Sequence, residues 1–124
     1  MKKLKLKIIK RERPMPKAQP VLTRRIKVIS QGQAPIFDGS EAETFEVHLP
    51  IPQGSIARNM NPGYIYVFII RQPSTGHQNF NWPANCRTAA EIEPQANAIT
   101  IQSFIASDNG SVLRENIPGT WWKG

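Results

Sequence analysis

Two residue types on which catalysis and covalent cross-linking often depend are nearly missing from this chain: it has one cysteine, Cys86, and two histidines, His48 and His77. A single cysteine excludes an internal disulfide framework, and Cys86 is expected to be a buried thiol that acts as a small hydrophobe. Neither histidine stands at a spacing from Cys86 or a serine that would mark an activated nucleophile. With no His-x-His, no cysteine pair and no carboxylate cluster, the chain reads as a non-enzyme with no catalytic residue, no metal ligands and no cofactor. Asp38, Glu41 and Glu43 read as a solvated acidic loop.

Long apolar runs are missing too. The stretch from Tyr64 to Ile70 is continuous, but it falls far short of the roughly 20 residues that cross a bilayer, so no membrane partner is expected. Met1 to Lys10 interleaves lysines with apolar residues and lacks the unbroken core of a secretory signal, so cytoplasmic synthesis is expected. Eleven prolines and eight glycines in 124 residues leave little room for long helices, because proline removes a helix donor and clashes with the preceding turn. The expected class is all-β, with one domain's worth of core.

Acidic residues are scarce only at the start. Residues 1–30 hold eleven lysines and arginines against Glu12 alone, a net charge of +10, while the remainder holds five bases and eight acids, a net of −3. Residues 1–30 therefore read as an extended basic arm, 31–41 as a linker rich in Gly, Pro and small polar residues, and 42–124 as a small domain. Within the arm, Lys3-Leu4-Lys5-Leu6-Lys7-Ile8 alternates charged and apolar residues, the pattern of a strand with one wet and one dry face. Such a strand can add to the sheet edge of a neighbouring subunit. Lys3, Lys5, Lys7, Lys10, Arg11 and Arg13 would pair with acidic groups there, while Leu4, Leu6 and Ile8 dock. The same charge suits nucleic-acid phosphates, although the interleaved apolar residues favour anchoring.

Glu43 to Leu49 alternates as a half-buried antiparallel strand, and Tyr64 to Ile70 is apolar enough for a central strand covered on both sides. His77 to Trp82 reads as a short strand ended by Pro83, and Ala98 to Ala106 as a strand leading into a Ser107-Asp108-Asn109-Gly110 hairpin turn. Short strands with turns every eight to twelve residues describe a small antiparallel β-sandwich, jelly-roll-like, preceded by the extended basic arm. Tyr64, Tyr66, Trp82, Trp121 and Trp122 are assigned to the core or an oligomer interface rather than to a platform for a sugar or base. Trp121 and Trp122 are adjacent and in a strand would face opposite ways, which favours an oligomer.

The order Tyr64 to Gln72, Thr75-Gly76, Phe80-Asn81-Trp82-Pro83-Ala84-Asn85 and Ile99 to Phe104 resembles a β-sandwich module of tailed-phage virion appendages: fibres, spikes and capsid decorations. The resemblance spans about residues 42–124 and leaves the arm outside. It implies a structural protein of a bacteriophage virion: a capsid decoration, cement or minor capsid protein, made in the host cytoplasm. The implied partners are other virion proteins such as the capsid protein, and further copies of the chain, a homotrimer being favoured. Two alternatives stand beside it. One is a fibre or spike module that recognises a host receptor, glycan or protein; the other is a coat protein whose arm binds nucleic acid.

Overall fold

A computed structural model of the chain describes residues 25–116. Residues Lys3 to Arg13 of the arm, and Trp121 and Trp122, lie outside the described residues. Among the described residues there is no helix, and the fold is all-β. Its strands are β1 (Ile26–Ile29), β2 (Ile36–Asp38), β3 (Thr44–His48), β4 (Ile56–Arg58), β5 (Ile65–Arg71), β6 (Cys86–Arg87), β7 (Ile99–Ala106) and β8 (Leu113–Glu115). Six of them form one sheet in the order β1-β3-β5-β7-β8-β6, and β2 pairs with β4 in a second.

The pairing is mixed, which corrects the antiparallel expectation. β3 runs parallel to both β1 and β5, β2 runs parallel to β4, and β6 runs parallel to β8. Only β5–β7 and β7–β8 are antiparallel. The cause is the route of the chain. From β1 to β5 successive strands alternate between the two sheets, so each returns to its own sheet in the direction in which it left. A parallel pair needs such a crossover, and here a strand of the opposite layer supplies it where a helix often does.

That route also moves two boundaries. Residues 25–30 belong to the folded domain rather than to an arm. β1 is in register with β3 from Ile26 opposite Thr44 to Ile29 opposite Val47, and the Glu43 carboxylate accepts bonds from the backbone and guanidinium of Arg25. Residues 31–41 are not a linker, because they carry β2 and bury Phe37 and Asp38.

Period-two alternation decides which side chains enter the core. Phe45 and Val47 of β3, Tyr66, Phe68 and Ile70 of β5, and Phe104 and Ala106 of β7 point to one face and are buried. Phe37 of β2 closes on them from the second layer, its ring 4.9 Å from Phe68 and 5.3 Å from Phe45. Tyr66 is wholly buried, and its hydroxyl accepts a bond from the Asn61 backbone N–H at 2.8 Å. Of the alternatives offered for it, Tyr66 is therefore a core residue.

The segment from His77 to Trp82 is not a strand of either sheet. Its residues are nonetheless held extended beside the core, and the side chain of Gln72 replaces the missing ladder. The amide of this buried residue donates to the carbonyl of Gln78 at 2.9 Å and accepts from its N–H at 3.0 Å. Phe80 and Trp82, two residues apart, both reach the core as alternation requires. The Trp82 ring meets Phe80, Phe68 and Phe104 edge to face, and its indole N–H donates to the Ala90 carbonyl at 3.0 Å. Trp82 is partly buried at the margin of the core, outside any strand.

Candidate functional site

The small sheet and the segment carrying Phe80 and Trp82 lie on one side of the six-stranded sheet. On the other side most described side chains are exposed or half-buried, Thr44 of β3 excepted. The alternation that buries Tyr66, Phe68 and Ile70 turns Ile65, Val67 and Ile69 to this outer face, and the register sets them beside residues of β7. Ile65 lies opposite Ile105 and Ile69 opposite Ile101. Ile101 is 65% exposed, Ile99 46% and Ile105 37%, while the three β5 side chains are half-buried by their neighbours. Beyond β3 the face continues in Ile26, 63% exposed, and Val28. Tyr64, just before β5, is also exposed, its ring stacked 6.3 Å from that of Tyr66.

The charges on this face are few and lie mainly off its centre. On β3, Glu46 accepts a bond from the Arg71 guanidinium at 2.9 Å and contacts the His48 ring at 2.9 Å. Arg114 of β8 lies level with Ile105, and Arg87 lies level with Arg114 at the far edge. The middle of the face, β5 and β7 from Ile65 to Ile69 and from Ile101 to Ile105, has no charged side chain. An apolar centre with a polar margin is the anatomy of an interface core and its rim.

Sequence reasoning missed this surface although its signal was present. Tyr64 to Ile70 is too apolar for a strand with a wet face, and β5 was expected to be covered on both sides. Within the described residues it is covered on one.

The chemically capable groups elsewhere are engaged or muted. His77 is exposed, with φ 58°, and its N–H donates to Pro94 at 2.7 Å. Burial pushes the Cys86 thiol up to about 12, which keeps it protonated and unreactive. A hollow of about 320 Å³ opens between β1 and β2. Its charged lining is already paired, Lys27 with Glu41 at 2.7 Å and Arg58 with Asp38 at 3.2 Å. Among the described residues, no group of three or more His, Cys, Asp and Glu could hold a metal ion.

Asp38 is the most heavily bonded of these groups. It is 6% exposed and accepts from the Ser40 hydroxyl and N–H, from Asn59 and from Arg58, joining the end of β2 to the end of β4. These bonds, the Ser40 hydroxyl foremost, hold its carboxyl well below the usual carboxylate range. A depressed folded-state value means that the stabilisation is complete above the ordinary value of about 4 and is lost as pH falls below it. The melting temperature of the parent protein should therefore drop more steeply between pH 5 and pH 3 than that of Asp38→Asn. Parallel profiles would show that Asp38 does not anchor the small sheet.

No protein-family model matches this chain, and neither the curated proteins nor the solved structures contain a match to it.

Proposed function

We propose that the protein is a structural subunit of an assembled particle, a bacteriophage virion, held to an acidic neighbour such as the capsid protein by its basic N-terminal residues. The observation that supports this reading is the division of charge, sharper once the fold is known. The described residues, 25–116, carry six bases and eight acids, whereas residues 1–24 carry nine bases and Glu12 alone. Arg25 and Lys27, the bases nearest the boundary, are paired inside the fold with Glu43 and Glu41. The excess of positive charge therefore belongs to residues 1–24, the composition that a tether to an acidic surface requires.

Binding of the full chain to shells purified without it tests the proposal. Replacing Lys3, Lys5 and Lys7 with Gln should weaken attachment and flatten its dependence on salt, because exposed charge pairs are screened over about 8 Å at physiological ionic strength. Replacing Leu4, Leu6 and Ile8 with Ser should weaken attachment and leave the salt dependence nearly unchanged. Tight binding to bare DNA, steeply salt-dependent and indifferent to the Ser changes, would instead identify a nucleic-acid arm.

A further inference from the structure

From the geometry of the outer sheet face we propose that a second copy of the same chain covers it, sheet against sheet, in a two-fold pair. The proposal rests on the reading of the protein as an assembling subunit and names the partner for one of its surfaces.

Size is the first argument. The exposed isoleucine and valine side chains on this face present on the order of 500 Å² of apolar area, at the upper end of what a monomer leaves in water. A standard interface buries about 800 Å² from each partner, part of it polar, and Glu46, His48, Arg71 and Arg114, half-buried or exposed, supply a polar part here.

The second argument is charge. The face carries Arg71, Arg87, Arg114 and Glu46 off its centre, while its middle, on β5 and β7 from Ile65 to Ile69 and from Ile101 to Ile105, has no charged side chain. A second copy turned about a two-fold axis through that middle offers an uncharged centre to an uncharged centre and leaves the charges at the rim.

Shape is the third. Two β-sheets pack face to face about 10 Å apart, their strands within about 30° of each other, through inward-facing side chains such as β-branched Ile and Val. The outer face presents this kind of surface, so two copies would complete a sandwich of which each holds half. A contact of one face with the same face is isologous and closes as a dimer. The pair predicts a dimer where the resemblance implies a trimer.

Sedimentation equilibrium of the full-length chain, with circular dichroism to check folding, decides the question. The parent should dimerise at micromolar concentration. Ile101→Lys changes a residue already 65% exposed in the monomer, so the spectrum should be kept, while the dissociation constant rises about a hundredfold or more because an unpaired ammonium is forced into an apolar contact. Ile56→Lys, on the small sheet and also exposed, should leave the dimer intact. If Ile101→Lys misfolds, Ile26→Lys on the same face serves in its place. A parent chain that stays monomeric at about 100 μM, as it would if another protein or its own arm covered the face, overturns the proposal; so does a dimer indifferent to a lysine on this face. A dimer that fails to attach to particles would overturn the virion reading and leave this inference standing. A monomer that attaches would do the reverse.

Discussion

Replacing Phe68 with Ala is expected to remove most of the stability of the folded domain. Its ring is wholly buried and touches four others: Phe37 at 4.9 Å, Phe45 at 5.4 Å, Phe104 at 5.4 Å and Trp82 at 5.7 Å. Those partners come from β2, β3, β7 and the segment braced by Gln72, so one side chain joins both layers of the fold. Truncating a buried phenylalanine costs about 3–5 kcal/mol through lost transfer energy and the cavity left behind. Several edge-to-face contacts, each worth about 0.5–1.5 kcal/mol, would be lost with it. Against a typical stability of about 5–15 kcal/mol, that loss removes most of a small domain's margin. Urea denaturation followed by tryptophan fluorescence gives the measurement, with Phe68→Leu expected to be much milder. A cost under about 1 kcal/mol for Phe68→Ala would mean that the two layers do not meet on this ring.

The parts of this fold that were legible beforehand are those governed by alternation and turn chemistry. β3, β5 and β7 lie where alternating or continuously apolar residues place them, and Ser107 to Gly110 forms the expected turn, with the Gly110 N–H donating to the Ser107 carbonyl at 2.9 Å. Strand direction was not legible, because a period of two reads the same forwards and backwards. The parallel pairing of β3 follows from where the intervening residues go. β2 was hidden for a related reason: Ile36, Phe37 and Asp38 stand between Pro35 and Gly39, which punctuate a sequence as a loop does, and only the second layer makes three residues into a strand. The His77 to Trp82 segment shows the converse. The alternation of Phe80 and Trp82 is genuine, but its backbone is satisfied by a glutamine side chain, and no residue pattern announces that substitution.

The outer face joins these two limits. Ile65, Val67 and Ile69 resemble buried side chains because their sequence context is that of a strand with two dry faces, yet the described chain provides one dry side. That mismatch between residue pattern and local cover is what makes the face a candidate site. The aromatic residues first considered for an interface divide differently, with Tyr66 in the core, Trp82 at its margin and Tyr64 exposed.

Gly110→Ala should be strongly destabilising, and comparison with Gly63→Ala separates the reasons. Gly110 has φ +75°, and Gly63, in the Asn61-Pro62-Gly63 turn, has φ +79°. Each would place an alanine in the left-handed region, at a cost of about 1–2 kcal/mol. Their surroundings differ. A methyl group on Gly63 would meet nothing within 4 Å, whereas one on Gly110 would run into the carbonyl oxygen of Met60, a backbone atom that cannot rotate away. The β7–β8 hairpin is pressed at this point against the chain leading into β5, and the Gly63 N–H donates to Ala106 at 3.0 Å close by. Relieving the clash requires the two turns to separate, which at the usual cost of overpacking adds about 1–3 kcal/mol. The two variants should therefore differ in urea denaturation by about 1–3 kcal/mol, Gly110→Ala being the weaker. Equal losses would show that the hairpin does not bear on Met60 and that the left-handed backbone alone requires glycine at both positions.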